Sequence, residues 1–237
     1  MKQTILVIAM LTVLAAATSC NIRWDRKSHD KVRNNMAYNG IDVSSHQQDI
    51  DWVKVAGDTC ISFVYIKATE GETYFSPHYS TNLKAARQQH IAVGSYHYLT
   101  TTASVNNQFA NFCRNARRDN QDLIPMLDVE DRGTWSRSQF IDSVGKMLQL
   151  MERHYHCRPM IYSTVEFYNE NLAANFNDYP LYIGRYSNSR PRIYWSGKYT
   201  IWQFTENGIV TGIPQFVDLA KFNDGVTLDD IRIKSRN

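Results

Sequence analysis

The chain has 237 residues, of which 43% are hydrophobic and 21% are charged. This composition is ordinary for one globular domain of the larger single-core kind and excludes a disordered chain. The net charge of +3 arises outside the folded part, because residues 38–237 hold 20 basic and 21 acidic side chains. A surface for binding nucleic acid is therefore not predicted.

The first twenty residues, MKQTILVIAMLTVLAAATSC, are typical of an export signal. A basic start at Lys2 precedes an apolar run over 5–17, which is shorter than the roughly 20 residues needed to span a bilayer. An uncleaved N-terminal anchor is the alternative. The ending, Ala17-Thr18-Ser19-Cys20, resembles a bacterial lipobox. That resemblance implies a lipoprotein signal peptide over 1–19, a lipidated Cys20, and an exported envelope protein that is membrane-anchored, facing the periplasm or the cell surface.

Residues 20–37 are polar, without period, and predict a solvated tether. One domain is predicted over 38–237, with no internal repeat, and a monomer is expected. Cys60, Cys113 and Cys157 match no metal or redox spacing, so buried, unreactive thiols are the default prediction. The run HYHC at 154–157 ends a predicted helix, where histidine is electrostatically favoured. It is therefore interpreted as a helix end, and neither a metal nor another cofactor is predicted.

Five predicted strands alternate with helices along the first part of the domain. The strands are 39–45, 61–69, 91–99, 123–130 and 158–163, and the helical patterns are 76–90, with Ser76 as N-cap, 104–119, 136–155 and 164–176. Three further strands, 179–187, 199–205 and 215–222, follow with gaps too short for helical crossovers. The pattern predicts an α/β fold in which a parallel barrel closes without its last helices.

The strand LIPMLDVED, at 123–131, is apolar until it reaches Asp128 and Glu130. Alternation places both carboxylates on one face, with Cα atoms about 6.5 Å apart. Their repulsion raises the pKa of one of them, as a glycosidase needs for its general acid. A surface ion pair is the alternative for such a motif alone. Asp42 in GIDVSS and Asp218 in FVDLAKF favour catalysis, since the first and last strands of a barrel are adjacent.

Aromatic residues near strand ends fit a sugar-binding groove. They are Tyr96, Tyr162, Tyr186 and Trp202, and each of them alone could equally fill the core.

Seven segments in order resemble the family 25 glycoside hydrolases, the lysozymes that cleave bacterial peptidoglycan. They are GIDVSSHQQDIDW, FVYIKATEGETY, VGSYHYL, LIPMLDVED, MIYS, IWQF and VDLAKF, covering residues 38–222. The resemblance implies a TIM-like (β/α)5β3 barrel and hydrolysis of the β-1,4 bond between N-acetylmuramic acid and N-acetylglucosamine. The chain departs from the family at Ala220-Lys221 and at Arg185.

By motif, the resemblance implies that Glu130 is the proton donor and Asp128 its partner, with Asp42 and Asp218 completing the catalytic site. Lys67 and Glu70 match the loop after the second strand and are expected to bind substrate, and Tyr96, Tyr162 and Trp202 match aromatic residues of the groove.

Two other functions remain as alternatives. The first is a chitinase-like hydrolase of another N-acetylated glycan, although the longer DxxDxDxE run of such enzymes is missing. The second is a non-catalytic glycan-binding barrel, although the acids at 42, 128 and 130 are all present. Esterase or peptidase chemistry lacks support, since the chain has no GxSxG elbow and no protease-type cysteine motif.

Overall fold

The computed structural model describes residues 36–234, which form nine strands and six helices. The strands are β1 (Gly40–Val43), β2 (Phe63–Glu70), β3 (Tyr74–Phe75), β4 (Ala92–Tyr98), β5 (Met126–Asp128), β6 (Met160–Thr164), β7 (Leu181–Gly184), β8 (Ile201–Gly208) and β9 (Val217–Phe222). The helices are α1 (Trp52–Val55), α2 (Tyr79–Gln88), α3 (Val105–Asn115), α4 (Arg137–Tyr155), α5 (Val165–Asn171) and α6 (Ala173–Phe176). Three short 3-10 helices lie at Ser45–Gln47, Arg118–Asn120 and Leu228–Ile231.

Eight of the strands close into a barrel, which confirms the predicted fold. Their order is β1-β9-β8-β7-β6-β5-β4-β2, and β1 pairs with β2 to complete the ring. Only β9 runs against its neighbours in the ring, since it is antiparallel to both β8 and β1. The short strand β3 turns back onto β2 outside the ring.

Helices α3, α4 and α5 begin where the sequence supplies an N-cap. The side chains of Ser104, Ser136 and Thr164 each accept a hydrogen bond from the backbone three residues on. The predicted cap at Ser76 is wrong, because helix α2 begins at Tyr79. The backbone N–H of Ser76 instead donates to Ala68 O, at 2.9 Å, and extends the pairing of β3 with β2.

Two apolar layers stabilise the barrel. The outer layer lies between the strands and the helices, and the inner layer fills the barrel itself. Along β2, alternate residues serve the two layers, so that Val64 and Ile66 pack outward while Phe63 and Tyr65 pack inward. The same alternation decides which side chains reach the mouth of the barrel.

The predicted export signal, Cys20 and the tether up to residue 35 lie outside the described residues. Between residues 36 and 234, no helix is long and apolar enough to cross a membrane. Helix α4 ends at Tyr155 with His154 in its last turn, as predicted. The three described cysteines are free thiols, but the expectation of burial is wrong: Cys60 is exposed and the other two are half-buried.

The inner layer leaves no room for a side chain at Gly94. A Cβ atom there would lie 2.3 Å from the Tyr65 ring, whereas a Cβ at the helical Gly145 would meet nothing nearer than 3.7 Å. We expect Gly94→Ala to lower the free energy of unfolding by about 1–3 kcal/mol through overpacking. The control Gly145→Ala should raise it by up to about 1 kcal/mol. Chemical denaturation measures both, and equal effects would contradict tight packing of Tyr65 against β4.

Candidate active site

A cleft of about 300 Å³ opens at the carboxyl ends of the parallel strands. Asp128 is the last residue of β5, and Glu130 follows two residues later. The cleft is lined by Asp42, Val43, Ser44, His46, Gln47, Lys67, Tyr96, Tyr98, Met126, Asp128, Glu130, Tyr162, Tyr186, Gln203, Glu206, Phe216 and Asp218. All four carboxylates that the sequence places in the site therefore meet in one cleft.

Closure of the barrel places Asp42 beside Asp218. The two are direct partners in the antiparallel pairing of β1 with β9, so their side chains stand beside each other. Two carboxyl groups this close repel each other when both are charged, which raises the pKa of one of them. The pair at the closing strands therefore holds one proton rather than two negative charges.

Asp42 is held by a network of neutral hydrogen-bond donors on the floor of the cleft. Tyr182 donates to Asp42 Oδ2 at 2.6 Å, and Gln203 Nε2 donates to the same carboxyl at 3.1 Å. The other end of the Gln203 amide accepts from Tyr162 at 2.7 Å and from Tyr186 at 3.2 Å. These bonds fix the orientation of Asp42 and of two cleft tyrosines together.

Burial sets the protonation of the closing pair. It raises the pKa of Asp42 to about 6, although the bonds from Tyr182 and Gln203 favour its charged form. Burial, followed by the negative charge of Asp42, raises the pKa of Asp218 to about 9. The proton of the pair therefore resides on Asp218 at neutral pH.

Asp128 and Glu130 occupy different environments although they share a strand face. Asp128 is buried and its Oδ1 atom has no hydrogen-bond partner among the described residues, while Glu130 is exposed to the cleft. Burial, and next the charge of Glu130, raise the pKa of Asp128 well above its usual range. The raised pKa that the sequence predicts for one member of the pair belongs to Asp128, which is the buried member.

Among residues 36–234, Lys67 is the one lysine or arginine that lines the cleft. Its Nζ lies 2.7 Å from Glu70 Oε2 and 4.8 Å from the centre of the Tyr98 ring. Glu70 does not line the cleft itself. It orients Lys67, which differs from the direct contact with substrate that the family motif implies.

Three of the four predicted groove aromatics, Tyr96, Tyr162 and Tyr186, line the cleft. Trp202 does not, and this expectation is corrected. Its neighbours on β8, Ile201 and Gln203, face inward, so alternation turns Trp202 outward into the layer under the helices, where it is 1% exposed. There its indole N–H donates to Arg185 O at 2.9 Å.

Further polar residues at the site were not predicted: Ser44, His46 and Gln47 after β1, and Tyr98, Tyr182, Gln203 and Glu206. Tyr98 stands two residues after Tyr96 on β4, so alternation alone was a signal for it. Gln203 follows Trp202 in the motif IWQF, and it is the residue of the two whose side chain faces inward. No sequence signal pointed to Tyr182 or Glu206, because their place depends on how β7 and β8 register with their neighbours.

We expect the closing pair to make stability depend on pH. A carboxyl whose pKa is raised by folding binds its proton more tightly in the folded state, so stability falls as pH rises from about 4 towards 9. Asp218→Asn removes this loss, so its melting temperature should exceed that of the wild type by an amount that grows with pH. Thermal unfolding from pH 5 to 8 measures it. The control Asp142→Asn changes an exposed carboxyl on α4, and an equal gain there would contradict the assignment.

Comparison with known proteins agrees with this geometry. The model of glycosyl hydrolases family 25 matches residues 41–213. An uncharacterized protein, YegX of Escherichia coli K12, is 36% identical over 194 residues, spanning 79% of this chain and 70% of that protein. Lysozyme M1 of Streptomyces globisporus is 32% identical over 204 residues, spanning 78% and 67%.

Among solved structures, a bacterial lysozyme from Streptomyces coelicolor superimposes with a TM-score of 0.73. It is 29% identical, and the match covers 82% of this chain and 95% of that one. The span that the family model matches, residues 41–213, runs from within β1 to the end of β8 and includes the acids at 42, 128 and 130. The chain therefore belongs to family 25 of the glycosyl hydrolases and is a glycoside hydrolase.

Proposed function

We propose that this enzyme is a muramidase, which hydrolyses the β-1,4 bond between N-acetylmuramic acid and N-acetylglucosamine in peptidoglycan. Membership of family 25 supports this activity, as do relatives that are named lysozymes. The observation that carries the proposal is the pair at the end of β5. One carboxyl there is exposed to the cleft and the other is buried beneath it.

Glu130 is the proton donor in this proposal. It is the exposed member of the pair, so its side chain can approach a glycosidic oxygen bound in the cleft. It lies on the same strand face as Asp128, whose raised pKa keeps one proton at the pair. That proton passes from Asp128 to Glu130 and from Glu130 to the leaving oxygen, which leaves Asp128 as a carboxylate.

The same transfer explains why Asp128 is buried. Once its proton has left, Asp128 is a carboxylate in a site of low polarity, where its charge strongly stabilises the positive charge that develops on the sugar. Among residues 36–234 its Oδ1 atom has no hydrogen-bond partner, which leaves this acceptor for the substrate. An N-acetylated sugar offers an amide N–H for that position.

The remaining cleft residues bind and orient the sugar. Tyr96, Tyr98 and Tyr186 present ring faces and hydroxyls along the cleft, which suits stacking on sugar rings. Asp42, fixed by Tyr182 and Gln203, provides an oriented acceptor for a sugar hydroxyl.

Substitution of the pair tests these roles. Glu130→Gln keeps the shape of the side chain but removes the transferable proton, so turnover on purified peptidoglycan should fall about 100-fold to 10,000-fold. The turnover of Asp128→Asn should fall similarly, because this change removes the anion that faces the reacting sugar. Glu206→Gln is the matched control, since it neutralises another cleft carboxylate and should retain most of the turnover. Near-normal turnover in Glu130→Gln would show that this carboxylate is structural.

Mass spectrometry of the released fragments distinguishes the proposed bond from the alternatives. A muramidase leaves muramic acid at the reducing end. Fragments that end in glucosamine, or cleavage of chitin in place of peptidoglycan, would favour a chitinase-like enzyme. Binding of glycan strands without any cleavage would favour a non-catalytic barrel.

We further propose that the enzyme is a monomer held at the bacterial envelope through a lipid on Cys20. The sequence before residue 36 supports this, with its apolar run and lipobox-like ending. Full-length protein expressed in a bacterium should partition into membranes, and Cys20→Ser should release it or stall its processing. Cys60→Ser is the control, since it removes an exposed thiol of the folded domain. Equal partitioning of all three forms would exclude the lipid anchor.

A further inference from the structure

The end of the barrel opposite the cleft carries a concentration of positive charge. Helices α3 and α4 run back from the mouth, so their C-termini lie at this underside, and α4 with 19 residues places it about 28 Å from the mouth. A hollow of about 440 Å³ opens there between the two helix ends. It is lined by Cys113, Arg114, Arg117, Arg118, Asp119 and His154, and we call it the basic hollow.

Carboxylates neutralise little of this charge. Among residues 36–234, the one ion pair within the hollow joins Arg117 to Asp119 at 4.0 Å, and both side chains are at least 70% exposed, so the pair contributes little. Arg118 is held by backbone oxygens, donating to Tyr155 O at 2.9 Å and to Lys234 O at 3.1 Å. The second bond adds the exposed Lys234 to the same surface.

An exposed tryptophan lies further along the same rim. Arg158, just after α4, donates to Asp178 O at 2.8 Å. The neighbouring Asn177 donates to Tyr194 O at 3.0 Å and to Trp195 O at 3.2 Å. These bonds connect the end of α4 to the loop that carries Trp195.

This loop holds Trp195 out into solvent. The side chain is 74% exposed and that of Tyr194 is 55% exposed. Trp195 and Ser196 have φ of 58° and 60°, a conformation that costs non-glycine residues on the order of 1–3 kcal/mol each. The loop therefore presents an indole that is available for contact with a partner.

We propose that the underside binds the surface of an anionic phospholipid bilayer, with the basic hollow on the headgroup phosphates and Trp195 at the interface. Basic residues are attracted to such a surface, and tryptophan is enriched at the boundary between headgroups and acyl chains. The proposal concerns the described domain and does not require a lipid on Cys20.

The mouth of the barrel carries the opposite charge, so the proposed contact favours one orientation of the domain on the bilayer. Five carboxyl groups line the cleft, against Lys67 as its lysine or arginine, and the cleft remains negative with protons on Asp128 and Asp218, so an anionic surface repels that end of the barrel. The chain enters β1 at the underside, where Asn39 O accepts from Ser62 N just before β2 begins. A tether leading from there to a membrane therefore leaves the cleft facing away from the lipid.

Vesicle binding tests the proposal with the full-length chain. Vesicles of phosphatidylcholine with phosphatidylglycerol are compared with vesicles of phosphatidylcholine alone, so that binding through the apolar N-terminus is common to both. Arg114→Glu with Arg117→Glu should weaken binding to the anionic vesicles at least tenfold at low salt. Trp195→Ala should also weaken it, and should remove part of the quenching of tryptophan fluorescence by brominated lipid.

The matched control is Lys84→Glu with Lys146→Glu. It makes the same change in net charge on exposed positions along α2 and α4 and should bind the vesicles within about twofold of the wild type. All variants should retain the wild-type melting temperature and wild-type turnover on soluble glycan fragments, since none lies at the cleft.

Three results would overturn the proposal. The hollow variant could bind anionic vesicles as tightly as the wild type, or the control could lose as much affinity as the hollow variant. Alternatively, soluble polyphosphate could bind in a manner that depends on Arg114 and Arg117 while anionic vesicles do not, which would assign the hollow to a phosphate polymer. Glu130→Gln separates this proposal from the proposed muramidase activity. It should lose peptidoglycan cleavage while its binding to anionic vesicles stays unchanged.

Discussion

The catalytic mouth depends on the antiparallel closure of the barrel between β1 and β9. A parallel last strand would need a crossover of a dozen or more residues, but only eight residues separate β8 from β9. The chain therefore turns back as a hairpin, and the register of that hairpin sets Asp218 opposite Asp42. Two carboxyls placed this close cannot both ionise, so one proton remains at the site before any substrate arrives.

Closure of the barrel also removes carboxyl groups from water, and the inner layer must offset the free energy that this costs. Carboxyls taken from water destabilise the folded chain unless hydrogen bonds replace their hydration. Tyr182 supplies such a bond to Asp42 while its ring packs edge-on against Tyr65 and Tyr162, at centroid distances of 5.9 and 5.5 Å. A single side chain thus serves the apolar filling of the barrel and the orientation of an acid at its mouth.

Strand centres and the acids that line the cleft were predictable because each carries a local signal. Asp42 and Asp128 interrupt apolar runs, and an acid in that position is informative whatever the neighbouring strands do. Side chains set by register were not predictable in the same way. In IWQF either Trp202 or Gln203 had to face inward, and the choice depends on pairing with β7 and β9, which no local pattern contains.

Net charge illustrates the same limit of local reasoning. The charges of residues 38–237 sum to about zero, and the sequence therefore predicts no nucleic-acid surface. A net charge does not show, however, where on the surface each charge lies. Because every parallel strand points its carboxyl end to the same side, the acids at the strand ends line the cleft, and three arginines at and just after the end of α3 line the hollow at the opposite end. The barrel thereby separates these two groups of charge. In the roles proposed above, the negative cleft holds the protonated pair at the end of β5, and the basic hollow keeps the opposite end of the barrel at an anionic surface.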